Sequence, residues 1–287
     1  MNSGEIMIMR ELGKIIDDRY ELLRVIGQGG MSVVYFGLDK RLNRCVAIKE
    51  ILKNKKYSVV LNSLRSEVYL LKKIEFKGFP RIYDIIDTED SFCIVMEYIE
   101  GKTLNYIINE EGTQSEERVV QWGKQLCEML SYLHSCYPPI IYRDVKPANI
   151  MLTPRGDLYL IDFGIAREYE EGALADETCL GTIGYAAPEQ YGGMGQTDQR
   201  TDIYGLGVTL YYLVTGNDPT KPPYEIMPIR QWNPELSIGF EKIIIKCIQT
   251  NPNDRYQSCV ELMEALECKD KFGKQRINFS SYLVSAD

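Results

Sequence analysis

The hydrophobic and polar pattern changes near residue 100 from a strand-like to a helix-like period. Before that point, runs rich in β-branched and aromatic residues predict strands at 20–26, 33–38, 45–51, 82–87 and 92–98. Apolar residues spaced three and four apart predict one helix at 60–74. This half of the chain is therefore expected to form a sheet with a single helix.

Beyond residue 100 the apolar spacing predicts helices at 119–134, 202–215, 240–249 and 258–267. Short strands at 150–152 and 158–161 flank a turn at 154–157 that contains Pro and Gly. We interpret the chain as an α+β protein with a leader (1–19), an N-lobe (20–97), a C-lobe (98–268) and a tail or linker start (269–287).

Composition narrows the functional classes. The chain has 287 residues, 45% of them hydrophobic and 26% charged, as in globular proteins. Its net charge of −8 argues against broad binding to nucleic acid or anionic lipid. None of the eight cysteines has the CxxC spacing of a zinc or redox pair, which favours free thiols in a reducing compartment. No apolar run is long enough for a membrane helix, and nothing resembles a signal peptide.

A glycine cluster, Gly27-Gln28-Gly29-Gly30-Met31-Ser32, lies between the first two predicted strands. Glycines allow backbone N–H groups to approach phosphate oxygens, although the same residues also suit a plain hairpin turn. The cluster leads into a strand and not a helix, which argues against a Rossmann fingerprint. It also lacks the Gly-Lys-Ser/Thr of a Walker loop.

Lys49 ends the run Val46-Ala47-Ile48-Lys49 and so interrupts the apolar side chains of the strand predicted at 45–51. A buried ammonium group requires a partner, and Glu67 on the following predicted helix could provide a carboxylate while the lysine binds phosphate oxygens. The alternative is an edge-strand lysine that reaches water along its aliphatic stem.

Candidate catalytic residues are most concentrated in the segment Tyr142-Arg143-Asp144-Val145-Lys146-Pro147-Ala148-Asn149. A second segment, Ile161-Asp162-Phe163-Gly164, follows it. Oxygen ligands from Asn149 and Asp162 suit Mg²⁺, which takes one or two protein groups together with substrate phosphates. Asp144 can orient a hydroxyl and accept its proton, and Lys146 can neutralise a transferring phosphoryl group.

With these motifs, the sequence resembles the eukaryotic-like protein kinase family, most closely its bacterial serine/threonine kinases. The resemblance covers about residues 20 to 268, and it includes the motifs above, Ala187-Pro188-Glu189, the helix segment that starts at Thr201-Asp202 and Arg255. It implies a bilobal α+β fold, ATP with Mg²⁺ (Mn²⁺ as the alternative), and transfer of the γ-phosphoryl group to Ser or Thr of protein substrates. It also implies a cytoplasmic protein or the cytoplasmic part of a membrane-anchored receptor kinase, and a homodimer through the N-lobe.

The resemblance assigns a nucleotide site. Adenine is expected between Val34 and Ala47 on one side and Met151 on the other, with Met96 as gatekeeper. The full set of expected nucleotide contacts is Ile26, Gly27, Gln28, Gly29, Gly30, Met31, Ser32, Val34, Ala47, Lys49, Met96, Glu97, Ile99 and Met151. Lys49, held by Glu67, is expected on the α and β phosphates, with Asp144 and Lys146 as catalytic groups and Asn149 and Asp162 as metal ligands.

Two residues depart from the family pattern. Ser32 replaces the third loop glycine, and Tyr142 replaces the commoner His. The ring of Tyr142 can stack on Phe163 in an internal hydrophobic column with Leu71 and Ile85. Because the lysine, the catalytic Asp and both metal ligands are present, an active kinase is favoured over a nucleotide-binding pseudokinase or signalling scaffold.

The resemblance also places an activation segment at 162–189. Thr178 is the candidate autophosphorylation site, with Arg143 as the partner of its phosphate. Thr182 is expected to contact Asp144 and Lys146, and Arg255 to pair with Glu189. Ile165 implies a preference for threonine as acceptor. Strong selection for arginine in the substrate is not expected, because Thr103 and Ala148 stand where selective relatives carry acidic residues.

Overall fold

The structure is a computed structural model that describes residues 11–29, 32–53, 74–162, 167–168, 181–191 and 196–269. The chain forms two compact units. The first comprises Met1–Asn109 with Tyr132–Glu171, and the second comprises Glu110–Ser131 with Gly172–Asp287. The lobe boundaries proposed from the sequence stay a prediction.

An antiparallel six-stranded sheet dominates the first unit, with the order β1-β2-β3-β4-β6-β5. Its strands are β1 (Ile15–Ile16), β2 (Tyr20–Gln28), β3 (Ser32–Asp39), β4 (Arg44–Leu52), β5 (Ile82–Asp87) and β6 (Ser91–Glu97). All predicted strands of this sheet are confirmed with small shifts at their ends. Strand β1 is too short to produce an alternating pattern.

The two faces of this sheet carry different residues because side chains alternate along each strand. On β3, Val33 and Tyr35 are buried, whereas Val34 and Phe36 are half-buried. One face holds the main core, formed by Ile16, Tyr20, Leu22, Val33, Tyr35, Val46, Ile48, Cys93 and Val95. The register pairs Val34 with Lys49, so Lys49 projects from the opposite face.

A partly buried ion pair joins the turn between β1 and β2 to the end of β3. Arg19 donates from Nε and Nη2 to the two carboxylate oxygens of Asp39, at 2.8 and 2.7 Å. Asp39 is fully buried, and Arg19 also reaches Asp84 at 3.3 Å. The hydrogen bond from Arg19 lowers the pKa of Asp39 to about 2.

Outside the six-stranded sheet, the described residues form five more short strands. They are β7 (Lys102–Thr103), β8 (Ile140–Ile141), β9 (Ile150–Leu152), β10 (Leu158–Leu160) and β11 (Arg167–Glu168). Strands β10, β9 and β7 form one small sheet, and β11 pairs with β8. The predicted strand at 150–152 is confirmed, and the one at 158–161 ends a residue earlier.

The described helices are α1 (Leu104–Glu111), α2 (Glu116–Ser135), α3 (Gln199–Thr215), α4 (Ile229–Trp232), α5 (Ile238–Cys247) and α6 (Cys259–Glu267). Helices α2, α3, α5 and α6 confirm the four predicted beyond residue 100. Helices α1 and α4 were not predicted. Of the helix predicted at 60–74, residues 60–73 lie outside the described residues.

Helix α3 forms the core of the second unit. Almost every side chain from Thr201 to Val214 is buried. Asp198 caps its first turn by accepting a hydrogen bond from the Arg200 amide at 2.8 Å. Gly216 ends the helix with a φ of 71°, a left-handed conformation in which glycine has no steric cost.

The buried carboxylate of Glu116 joins three parts of the second unit. It accepts hydrogen bonds from the backbone N–H and the hydroxyl of Ser237, both at 2.7 Å, and from the ammonium group of Lys269. Ser237 is in turn the N-cap of α5. The Lys269 carbonyl packs so closely on Gly239 that a Cβ would not fit there.

The structure can be compared with two further predictions, that the cysteines are free thiols and that no segment forms a membrane helix. The seven cysteines in the described ranges carry free thiols, and Cys179 lies outside those ranges. Among the helices that the structure describes, none is both long and apolar enough to cross a lipid bilayer.

Candidate active site

The loop from Tyr142 to Asn149 lies between β8 and β9. Its last residues form a short 3₁₀ turn, Pro147–Asn149, which Lys146 precedes in an extended conformation. Arg143 is buried and has a φ of 65°, a left-handed conformation uncommon for a residue with a side chain. The loop is thus held between two strands and ends in a 3₁₀ turn.

Asp144 is oriented by two neighbours on the same loop. Lys146 Nζ lies 2.7 Å from Asp144 Oδ2, and Asn149 Nδ2 donates to the same oxygen at 2.8 Å. Asn149 Nδ2 also lies 3.1 Å from the Asp144 carbonyl. The structure thus brings together the three loop residues singled out by the sequence.

The β9–β10 hairpin returns the chain to this loop. Leu160 pairs with Ile150, and the Ile161 amide donates to the Asn149 carbonyl at 2.9 Å. The next residue, Asp162, therefore follows directly from a position that is bonded to Asn149. The pairing of β9 with β10 thus brings the backbone of Ile161, next to Asp162, against that of Asn149.

Lys49 pairs with Asp162 within the first unit. Lys49 Nζ lies 2.8 Å from Asp162 Oδ1, and Lys49 is only 8% exposed. The buried position predicted for this lysine is confirmed, so it is not an edge-strand lysine in water. This contact was not predicted, because the partner expected for Lys49 was Glu67, which lies outside the described residues.

The glycine cluster lies in the hairpin between β2 and β3. Gly27 pairs with Val34 and Gln28 with Val33, and the Gly29 amide donates to the Ser32 carbonyl at 2.8 Å. Gly30 and Met31 lie outside the described residues. The cluster leads into strand β3, as predicted, which agrees with the argument against a Rossmann fingerprint.

Several residues expected around adenine share the face of the sheet that carries Lys49. The register pairs Val34 with Lys49 and Ala47 with Met96, so these four project to one side. Of the remaining expected contacts, Ile26 is 40% exposed, Ile99 is buried and Met151 lies on β9. The Glu97 amide donates to the Arg81 carbonyl at 2.8 Å. Every described member of the predicted nucleotide and metal set belongs to the first unit.

The residues predicted as metal ligands fit a hard divalent cation. Asp162 offers a carboxylate that is half exposed, and Asn149 directs its amide nitrogen toward Asp144, so its amide oxygen is the atom with ligand chemistry. The described residues contain no cluster of three or more His, Cys, Asp or Glu side chains. An oxygen pair of this kind suits Mg²⁺, which keeps water and phosphate oxygens in its coordination sphere, and not a zinc centre.

The segment 181–191 belongs to the second unit, and it confirms one predicted pair. Arg255 Nη1 and Nη2 donate to Glu189 Oε1 and Oε2 at 2.7 and 2.9 Å. The Thr182 carbonyl accepts hydrogen bonds from the amides of Tyr185 and Ala186. The contacts predicted between Thr182, Asp144 and Lys146 stay predictions, and Thr178 lies outside the described residues.

A wide groove of about 1660 Å³ adjoins this segment within the second unit. Its lining includes Ile183, Gly184, Tyr224, Met227 and Lys242. Ile183 is 69% exposed, an unusual position for a large apolar side chain. No motif predicts this groove, because its walls come from elements that are distant along the chain.

Comparison with known families gives one match that covers most of the chain. The model of the protein kinase domain matches residues 20–279. That range contains every residue predicted for the nucleotide, catalytic and metal site.

Curated relatives are similar over most of this chain. A probable serine/threonine-protein kinase of Clostridium perfringens is 35% identical over 270 residues, which cover 89% of this chain and 39% of the relative. Serine/threonine-protein kinase PrkC of Bacillus subtilis is 32% identical, with 96% and 44% covered. Serine/threonine-protein kinase PknB of Mycobacterium tuberculosis is 33% identical, with 86% and 42% covered. The chain thus spans about two fifths of the length of the curated relatives that it matches.

Proposed function

Because the chain belongs to the protein kinase domain family and has the α+β fold of that family, we propose that it transfers the γ-phosphoryl group of ATP to serine and threonine residues of proteins. The observation that carries this proposal is the arrangement of Asp144, Lys146 and Asn149, in which two donors converge on one carboxylate oxygen. A carboxylate held in one orientation is suited to receiving the proton of an attacking hydroxyl.

Each residue of the site has a proposed role. Asp144 orients the acceptor hydroxyl and takes its proton, and the ammonium group of Lys146 stabilises charge on the phosphoryl oxygens. Lys49 binds the α and β phosphates, with Glu67 holding it, and Asn149 and Asp162 bind the metal. When bound, ATP and a divalent metal supply the phosphoryl group and the charge that neutralises it.

The family uses ATP and a divalent metal, and we propose Mg²⁺ as that metal, with Mn²⁺ as the alternative. Two oxygen ligands from the protein are the number that Mg²⁺ commonly takes when phosphates complete its coordination. The free thiols of the described cysteines support a reducing compartment, and we place the chain in the cytoplasm on that ground, alone or as the cytoplasmic part of a receptor kinase.

Two finer features of the activity are also proposals. Autophosphorylation on Thr178 would place a dianion within the activation segment, where Arg143 could pair with it. Ile165 is the basis for a preference for threonine. Phosphate mapping by mass spectrometry tests the first feature, and matched peptides that differ only in Ser or Thr test the second. Equal rates on both peptides would contradict the preference.

We further propose a homodimer through the sheet of the first unit. Strand β1 is an edge strand, and Leu12, Ile15 and Leu23 near it are 57%, 40% and 41% exposed. Edge strands with apolar neighbours are prone to pairing with another copy. Sedimentation of wild type and Ile15→Lys tests this, since the proposal requires that only wild type dimerise.

The first experiment compares phosphate incorporation from MgATP by wild type, Asp144→Asn and Asp157→Asn. Asp157 is a matched control, because it also pairs with a lysine, Lys77 at 2.7 Å, in the same unit. Incorporation by wild type and Asp157→Asn, but not by Asp144→Asn, supports the proposal. Retained ATP binding with no incorporation by wild type, into itself or a generic protein substrate, would favour a pseudokinase or scaffold.

A further inference from the structure

Three side chains that no motif indicates meet at the end of β6. Tyr98, the residue after this strand, contacts Phe36 on β3 edge to face, with ring centroids 4.6 Å apart and ring planes at 67°. The guanidinium carbon of Arg24 on β2 lies 5.0 Å from the centroid of the Phe36 ring, and Arg24 Nη2 donates to the Tyr98 hydroxyl at 3.4 Å. These three residues form what we call the rim cluster.

The rim cluster lies on the face of the sheet that is expected to bind adenine. The register pairs Arg24 with Phe36, Phe36 with Ala47, and Ala47 with Met96. Directly paired residues of antiparallel strands project to the same side, so Phe36 shares a face with two of the expected adenine contacts. The main core fills the opposite face. The rim cluster is therefore not part of the main core, and its role needs a separate explanation.

The backbone of residues 97–99 is held from two directions. Toward β5, the Glu97 amide donates to the Arg81 carbonyl at 2.8 Å, and the Arg81 amide donates to Glu97 Oε2 at 3.3 Å. Toward β2 and β3, the side chain of Tyr98 is held by Phe36 and Arg24. Edge-to-face aromatic pairs and a guanidinium over an aromatic ring are both attractive, because of the ring quadrupole. Without the rim cluster, the chain after β6 would lose its contact with β3 and be less restrained.

We propose that Phe36 and Arg24 are positioning residues for the adenine of ATP, because they hold Tyr98 and thereby the backbone of the residues on either side of it. This inference rests on the proposed function and on the expected contacts of Glu97 and Ile99 with the base. Phe36 and Arg24 do not touch the nucleotide. They raise the fraction of molecules in which residues 97–99 are already placed for binding, and the affinity for a ligand rises in proportion to that fraction.

The first variant is Phe36→Leu, which keeps an apolar side chain and removes the ring. We expect the dissociation constant of a non-hydrolysable ATP analogue, measured by calorimetry with Mg²⁺, to rise about fivefold. In steady-state phosphate transfer, KM for ATP should also rise, while kcat at saturating ATP keeps its wild-type value because the catalytic groups are unchanged. In the nucleotide-free protein, the Glu97 amide should exchange its hydrogen faster, because the chain beside its bond to Arg81 is less restrained.

Two further variants test whether the rim cluster acts as one unit. Arg24 is exposed, so Arg24→Gln should keep the fold and weaken binding of the analogue about twofold. Tyr98→Leu removes the ring that Phe36 contacts, so the double variant with Phe36→Leu should bind the analogue about as weakly as each single variant. Effects of the two substitutions that multiply independently would contradict a single unit.

Phe76→Leu is the matched control. Phe76 is also a partly exposed phenylalanine of the first unit, and its ring stacks on Tyr132 with centroids 4.7 Å apart. A general loss of stability from the removal of an aromatic pair would affect both variants alike. The proposal requires that Phe76→Leu keep the wild-type affinity for the ATP analogue and the wild-type exchange at Glu97.

Weaker binding and faster exchange in Phe36→Leu, with neither change in Phe76→Leu, support the positioning role. Wild-type values in Phe36→Leu, or equal changes in both variants, overturn it. Weaker binding with unchanged exchange also overturns it, because Phe36 would then act on the nucleotide directly. Faster exchange with unchanged affinity overturns it too, because the placement of residues 97–99 would then not set the affinity.

The same experiment separates this inference from the proposed function. If wild type binds no ATP analogue, the proposed function fails and the adenine role fails with it. If wild type binds the analogue and Phe36→Leu binds it equally well, only the positioning role fails. Exchange at Glu97 in the nucleotide-free proteins shows in either case whether the rim cluster holds the backbone of residues 97–99.

Discussion

Arg255 and Glu189 form a two-pronged ion pair inside the second unit, with side chains 0% and 6% exposed. The remaining N–H groups of Arg255 donate to backbone carbonyls of Arg200, Gln249 and Thr250. Thr201 on α3 also donates to Glu189, at 2.8 Å. The ion pair, together with the bonds from Thr201 and to the Arg200 carbonyl, thus links the segment 181–191 to α3. Every N–H group of the buried guanidinium has an acceptor.

Glu189→Gln should therefore destabilise the second unit. The substitution keeps the shape but leaves a buried guanidinium without its opposite charge, at a cost of about 3 kcal/mol. Urea unfolding measures the change. The control is Glu111→Gln, because Glu111 pairs with Arg118 at 3.1 Å on the surface, where such a pair contributes less than about 1 kcal/mol. Equal losses in both variants would contradict the assignment.

Lys49→Met should remove activity and leave the fold intact. Its partner Asp162 has a half-exposed carboxylate that water can solvate, so the free energy of unfolding should change by about 1 kcal/mol or less. Loss of the cation at the phosphates should lower the transfer rate about 100-fold or more. Steady-state phosphate transfer and thermal unfolding measure the two effects.

Lys77→Met is the control for Lys49→Met, since Lys77 also pairs with an aspartate, Asp157, but is 72% exposed. We expect Lys77→Met to transfer phosphate at the wild-type rate. If Lys49→Met kept activity within about threefold of wild type, the proposed phosphate role of Lys49 would be wrong.

Asp39 should contribute stability that disappears in acid. The hydrogen bond from Arg19 lowers the pKa of Asp39 from 3.8 to about 2. A lowered pKa in the folded state means that the unfolded chain binds the proton first as the pH falls. The contribution is therefore complete above about pH 4 and is lost as the pH falls toward 2.

Asp39→Asn should accordingly be less stable than wild type at pH 7, and its stability should fall less steeply between pH 4 and pH 2. Urea unfolding across this range provides both curves. Parallel curves for the two proteins would show that the Arg19–Asp39 pair does not cause the acid dependence.

Ile183→Ser should weaken recognition of protein substrates without affecting ATP. Ile183 is 69% exposed beside the groove of the second unit, so serine there should change stability little. If an apolar contact with the substrate is lost, KM for a protein substrate should rise about fivefold, with KM for ATP unchanged. Leu42→Ser, at a residue that is 59% exposed in the first unit, is the control. An unchanged KM for the protein would exclude this role of Ile183.

Periodicity revealed the long elements because their buried faces are regular. Helix α1 carries the same signal, with Leu104, Ile107 and Ile108 buried at helical spacing, but eight residues beside a glycine were too few to stand out. Helix α4 has four residues, which are too few to show a helical spacing of apolar residues. Strand β1 has only two residues and was not predicted for the same reason.

The part of the candidate site whose functional side chains all lie in one loop could be predicted from the sequence. Asp144, Lys146 and Asn149 are close along the chain, so their meeting follows from local geometry. The contact of Lys49 with Asp162 and the bond of Tyr142 to Ile161 depend on how the sheet and the β9–β10 hairpin are placed. The left-handed conformation of Asp162 also has no sequence signal, because it is imposed by these long-range contacts.

The binding of Lys269 to Glu116 has a practical consequence for protein engineering. Lys269 is fixed at both its side chain and its carbonyl, so whatever is joined after it starts from a defined point on the second unit. A fusion partner attached beyond this residue keeps that anchor. A truncation that removes Lys269 leaves the Glu116 carboxylate without its cation and the packing surface of Gly239 uncovered.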